Sequence, residues 1–109
     1  MIMRIVQVYN NNIYAGLLTE TDAHTYLFAY DSHYLNSNHA SISLTLPKRE
    51  ETYQSPTLFP FFANLLPEGA NRRAVCRHYK IDEHDDMGIL MAFSQKDFIG
   101  SIGIKTIET

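Results

Sequence analysis

At 109 residues, 45% of them hydrophobic and 19% charged, the chain is long enough for one core and too apolar to be disordered. A net charge of −3 argues against a phosphate-binding surface, and the single cysteine, Cys76, excludes an internal disulfide and points to a reducing compartment. No signal-like leader precedes the first strand, and the longest apolar stretch, residues 58–66, is cut by Pro60 and Asn64, so the expectation is a soluble cytoplasmic domain.

The first third reads as β-structure. Ile2, Arg4, Val6 and Val8 alternate with Met3, Ile5, Gln7 and Tyr9 at period two. Asn10 to Asn12 breaks the pattern, and asparagine tolerates the left-handed conformations of a tight hairpin. Residues 13–18 form the return strand, with Gly16 at a bulge or close approach. A turn over residues 20–23 leads to a third strand at 25–30. Residues 31–40 read as irregular, 41–46 as a fourth strand stopped by Pro47, and 48–54 as a charged loop.

From Ser55 the period becomes helical. Ser55-Pro56 resembles an N-cap with proline at the first helical position, and Pro60 moves the start to near Thr57 or Phe59. A second helix runs from Glu68 to Tyr79, with Ala70, Ala74, Val75 and Tyr79 as its inner stripe. Asp82 caps a third, with Asp85 and Asp86 in its first turn and Met87, Leu90, Met91 and Phe93 on its apolar face. Residues 99–105 read as a closing strand. The fold class is α+β: a small curved antiparallel sheet or partial β-barrel of about five strands, flanked by two or three helices.

Chemistry is sparse. Cys76, His78, His84, Asp85 and Asp86 match no paired Cys/His spacing, so no metal or cofactor is expected. No nucleophile signature is present, and Cys76 reads as a small buried hydrophobe. Gly100-Ser101-Ile102-Gly103 lacks the Gly-Lys-Ser/Thr ending of a phosphate loop. No catalytic residue is assigned, although a small hydrolase using His78, His84 and Asp85 is an option that chelation would test. Arg72, Arg73, Arg77, His78 and Lys80 cluster on one helix; either they form a solvated or salt-bridged face, or they serve a nucleic-acid-binding accessory using Arg72 to Lys80.

The run Phe59 to Leu66 is the most informative feature. At about 100° per residue, Phe59, Phe61, Phe62, Leu65 and Leu66 cover most of a helix circumference. A core can take some of them, and the remainder predicts a partner site.

The same residues carry a resemblance. Ser43-Leu44-Thr45-Leu46-Pro47, Phe61 to Gly69 with Arg72, and Asp97-Phe98-Ile99-Gly100-Ser101-Ile102-Gly103 occur in order along the chain. Together they resemble the N-terminal subdomain of HipA-type serine/threonine kinase toxins, in which the kinase core follows this subdomain. A free-standing copy resembles the HipS antitoxins of tripartite HipBST systems. The resemblance implies a non-enzymatic antitoxin that binds a HipT-type kinase N-lobe in trans, within a complex whose HipB-type protein contacts DNA. The expected partner-binding residues are Phe61, Phe62, Asn64, Leu65, Leu66, Pro67, Glu68 and Arg72. Phe62 and Leu65 would be the anchors, Glu68 would meet a basic group near the nucleotide loop, and Arg72 would bind a carboxylate or phosphate at the rim. Inhibition would follow from a distorted glycine-rich loop or from occlusion of the protein substrate.

Overall fold

In a computed structural model of the chain, which describes residues 3–93 and 102–107, five antiparallel strands form one open sheet in the order β4-β3-β2-β1-β5. The strands are β1 (Arg4–Asn10), β2 (Ile13–Glu20), β3 (Tyr26–Tyr30), β4 (Tyr53–Ser55) and β5 (Ile102–Thr106). The helices are α1 (Ser32–Leu35), α2 (Pro60–Ala63), α3 (Gly69–Tyr79) and α4 (Asp86–Phe93). This is the expected α+β class, with the open sheet realised rather than the barrel. Ile99 to Ser101 of the expected last strand lie outside the described residues, as do Asp97 and Phe98 and the side chain of Phe93.

The β1–β2 hairpin follows from local chemistry. Asn11 and Asn12 have φ of 52° and 68°, the pair of left-handed residues that a two-residue turn matched to strand twist requires. The register slips between Val8 and Tyr9, so that Val8 faces Gly16 and Tyr9 faces Tyr14, leaving Ala15 as the extra residue. Gly16 is needed there: a Cβ would collide with the Ala29 carbonyl oxygen and lie 3.0 Å from Tyr30 Cα.

Alternation sorts the faces. Val6, Val8, Leu18, Phe28 and Tyr30 are buried on one side, where they meet Phe62 of α2, Met87, Ile89 and Leu90 of α4, and Tyr34 of α1. Phe62, Phe28, Tyr30 and Tyr34 form a ladder of rings with successive centroid distances of 5.7, 4.9 and 5.9 Å.

Three expectations are corrected. Residues 41–46 are not a strand but a tight turn closed by a single Ser43–Leu46 bridge. The Ser43 hydroxyl accepts from the Thr45 amide at 3.1 Å and lies 2.9 Å from the Thr45 hydroxyl, so side chains take bonds that a ladder would have used. The β3 edge is occupied instead by Tyr53–Ser55, made of the end of the segment read as a charged loop and the residue read as a helix cap. Asp31 caps a short helix in the stretch read as irregular, its carboxylate accepting from the His33 amide at 3.1 Å.

α2 starts near Phe59, one of the two expected places, whereas the expected caps Ser55 and Asp82 serve the turns before their helices. Phe59 occupies the N-cap position of α2 and Pro60 the first turn, while Ser55 ends β4 and accepts from the Thr57 amide at 3.2 Å. At α4 the capping contact comes from Asp85, whose carboxylate accepts from Gly88 N at 3.1 Å, while Asp82 serves the preceding turn by accepting from His84 N at 2.8 Å. The face of α3 that packs inward is set by Val75 and buried Cys76, with Arg72 one turn earlier, rather than by Ala70 and Ala74, which are exposed. Cys76 is thus the small buried hydrophobe its neighbours suggested.

Candidate partner-docking site

The Phe59–Leu66 run does not behave as one amphipathic helix. α2 is four residues long, and beyond Ala63 the chain continues in tighter turns, with Leu65 N donating to Phe62 O and Leu66 N to Ala63 O, both at 3.1 Å. Helical spacing therefore fails after one turn. Leu58, Phe59, Phe62 and Leu66 all reach the core, and Phe62 is fully buried. Of the five residues expected to be shared between core and surface, Phe61 and Leu65 keep part of their area accessible while packing against the core. Phe62, expected as an anchor for a partner, belongs to the monomer's interior, and so does Leu66.

What remains accessible is a rim. Asn64 and Glu68 are exposed, while Phe61, Leu65 and Pro67 are half-buried between them. The Phe61 ring stands edge-on to Phe62 at 5.1 Å, which holds its orientation. Glu68 occupies the N-cap position of α3 but makes no side-chain cap bond, so its carboxylate points to solvent. Arg72 is not free: its Nε donates to the Glu83 carbonyl at 2.8 Å, and its guanidinium pairs with Asp86. It clamps the α3–α4 connection rather than reaching outward.

A second ionic group fixes α4 on the sheet. Arg4 of β1 donates both terminal nitrogens to Asp85 at 2.9 and 2.8 Å and its Nε to Glu20 at 2.6 Å. These bonds from Arg4 hold the Asp85 carboxyl below the ordinary carboxylate range, and those to Asp85 and Glu20 raise Arg4 above its usual value. Tyr26 joins by donating to Glu20 at 2.9 Å; burial and that bond push its phenol up to about 12.

The residues considered for other chemistry are dispersed. Asp85 is committed to Arg4 and Asp86 to Arg72, and the His78 ring stands against Tyr79 at 4.7 Å. Among the described residues no group of three His, Cys, Asp or Glu side chains comes together as a metal site. Arg73 and Arg77 line an open groove of about 430 Å³ whose other walls carry Asp82 and Glu83, so the basic helix faces carboxylates of its own chain. No helix among the described residues is long and apolar enough to cross a membrane.

With this geometry, comparison with known proteins is decisive. Residues 6–105 match the family described as HipA N-terminal domain. The chain belongs to that family. A solved structure titled N-terminal domain of HipA toxin superposes with a TM-score of 0.75 at 27% identity, covering 100% of this chain and 97% of that one. An uncharacterized protein of Haemophilus influenzae is 31% identical over 104 residues, covering 95% of this chain and 93% of its own length. A putative kinase, Y4mE, of Sinorhizobium fredii is 29% identical over 91 residues; the match takes in 83% of this chain and 22% of the kinase. What is matched is the HipA N-terminal domain, not the catalytic core of the kinase.

Sequence reasoning missed Leu44, whose side chain is 99% exposed at the tip of the Ser43–Leu46 turn. The available signal was Ser43 and Thr45 flanking it, two hydroxyls placed to close a turn over the residue between them.

Proposed function

We propose that this HipA N-terminal domain protein is an antitoxin that binds a HipA-type serine/threonine kinase toxin in trans and neutralises it. The observation that carries the reading is the pair of coverages. The same domain makes up 93% of the Haemophilus influenzae relative and 22% of the putative kinase Y4mE. A surface that contacts the kinase within one chain becomes, on a separate chain, a surface that binds it from outside. A kinase of the short HipT type is the partner that fits, with a HipB-type DNA-binding protein in the same complex, and the chain itself performs no catalysis.

The contact is assigned to the rim of the α2–α3 connection. Leu65 and Phe61 supply part-exposed apolar area on a segment held firmly from below by Phe62 and Leu66, so little order remains to be imposed on binding. Asn64 and Pro67 border that area. Glu68 offers an unpartnered carboxylate at its edge, suited to a basic group of the kinase. Arg72 acts indirectly, by keeping the start of α3 fixed against Glu83 and Asp86.

The test is co-expression with the HipA-type kinase of the same genome. The wild-type protein is expected to restore growth and to abolish phosphorylation by the purified kinase. Leu65→Asp is expected to lose both effects while keeping its melting temperature within a few degrees, since a half-exposed side chain contributes modestly to stability. Unimpaired rescue by Leu65→Asp would move the contact elsewhere. Retardation of duplex DNA by the isolated protein at low salt would favour the basic-helix reading instead.

A further inference from the structure

One face of the sheet carries the core; the other is unusually apolar, its large side chains are half-buried, and among the described residues no helix packs on it. Strand register places Ile5 beside Thr19 and Leu27 beside Thr19 on the far side, so these three form one outward row across β1, β2 and β3. Leu17 lies in the next row between Gln7 and Ala29. Tyr9 and Tyr14 close the face, with ring centroids 5.6 Å apart. Ile5, Tyr9, Leu17 and Leu27 alternate along their strands with the buried Val6, Val8, Leu18 and Phe28, and Ile5, Leu17 and Leu27 are not among the residues packed against the core cluster.

An antiparallel sheet with one solvated face ordinarily turns polar residues outward. Here the outward positions of the five strands hold a single charged side chain, Lys105 on β5, paired across from Gln7. Depletion of charge with aliphatic and aromatic residues retained is the composition of an interface centre. Among the described residues, the helices whose contacts are defined lie on the other face.

We infer that this outer face is a second docking surface, and that its occupant is the kinase portion of a HipA-type protein. The inference rests on the antitoxin reading and extends it. The chain path identifies the occupant. Ile107, just past β5, donates its amide to the Ile5 carbonyl at 3.2 Å, so whatever follows this domain in a longer HipA-type chain departs beside Ile5. Met3, 48% exposed, stands at the same end of β1. The remainder of a HipA toxin follows its N-terminal domain and so starts at the border of this face, where it would bury Ile5, Leu17 and Leu27. A free-standing copy retains the same residues and presents them to the kinase from outside.

The experiment titrates purified HipA-type kinase from the same genome with the wild-type protein, Leu17→Glu, Leu27→Thr and Leu65→Asp by isothermal calorimetry. Circular dichroism and sedimentation velocity are recorded for each protein alone. Leu27→Thr introduces a β-branched residue that suits a strand and carries the test where Leu17→Glu fails to fold. The expected result is at least about tenfold weaker kinase binding by the folded outer-face variants. Wild-type binding matched by Leu17→Glu and Leu27→Thr overturns this inference and leaves the antitoxin reading standing. No binding by the wild-type protein overturns both. A wild-type dimer that Leu17→Glu dissociates, with kinase binding unchanged, assigns the face to self-association and also overturns the inference.

Discussion

Phe62 and Leu44 both lie in connections outside the main strands, yet Phe62 is fully buried and Leu44 is 99% exposed. The difference is in how each backbone satisfies itself. At α2, Pro60 and one helical turn lay the chain across the sheet, so the ring of Phe62 falls between Phe28, Phe59 and Phe61. At the Ser43–Leu46 turn, the hydroxyls of Ser43 and Thr45 close the loop from the solvent side. The Tyr30 hydroxyl closes it from within, accepting from Ile42 N at 3.1 Å and donating to the Leu46 carbonyl. Ile42 and Leu46 are thereby drawn into the core and the residue between the two hydroxyls is turned out. Burial is decided by the local hydrogen-bond solution, not by the apolar character of the side chain.

Breaking the buried half of the comparison gives the largest effect. Phe62→Ala is expected to cost about 3–5 kcal/mol in urea unfolding, from lost transfer energy and the cavity left among three rings. A loss below about 1 kcal/mol would mean the ring is not core. Gly16→Val attacks the sheet on which Phe62 rests, since the added side chain meets the Ala29 carbonyl; the expected cost is about 1–3 kcal/mol. An unchanged melting curve would contradict the close approach of β2 and β3.

The Leu44 half is sharpened through its inner clamp. Tyr30→Phe removes the hydroxyl that serves Ile42 N and the Leu46 carbonyl, leaving two buried backbone groups unpaired at a cost of about 1–2 kcal/mol. Faster amide exchange over residues 42–46, with the rest of the sheet unchanged, is the accompanying signature.

The ionic group at α4 adds a pH test. Asp85 is held below its usual range by Arg4, so its contribution is fully present above the unfolded carboxyl pKa of about 3.9 and is lost as pH falls through the lower folded value. Asp85→Asn is expected to flatten that acid limb. Tyr26 acts in the opposite sense: its folded pKa is raised from 10.0 to about 12, so stability declines as pH rises across that interval, and Tyr26→Phe is expected to remove the decline. The smallest effect belongs to Leu44→Ser, expected within about 0.5 kcal/mol of wild type in the same unfolding measurement.

Legibility followed the range of the forces involved. The Asn11-Asn12 turn and the Gly16 close approach were readable because left-handed conformations and the absence of a Cβ are properties of those residues. The division of β1 into two faces was readable because alternation is geometric, although which face turns inward was not. The segment at 41–46 was misread because it alternates as well as any strand, while the edge of β3 went to Tyr53–Ser55. At the candidate site, assigning Phe62 to the outside assumed that helical spacing continues through the Phe59–Leu66 run, whereas α2 ends after four residues. Arg72 appeared available for a partner because Asp86 and Glu83 are more than ten positions away along the chain.

By itself, the order of residues settled the α+β class, the first hairpin, the placement of α3, and the resemblance to the HipA N-terminal domain that the family match then established. Those depend on backbone preferences and short-range periodicity, which each segment carries wherever it is placed. Only the folded chain decided which apolar residues were enclosed, which arginine was already paired, and which face of the sheet the described helices pack on. Those outcomes arise from competition between distant segments for the same partners, and a linear pattern holds no record of who wins.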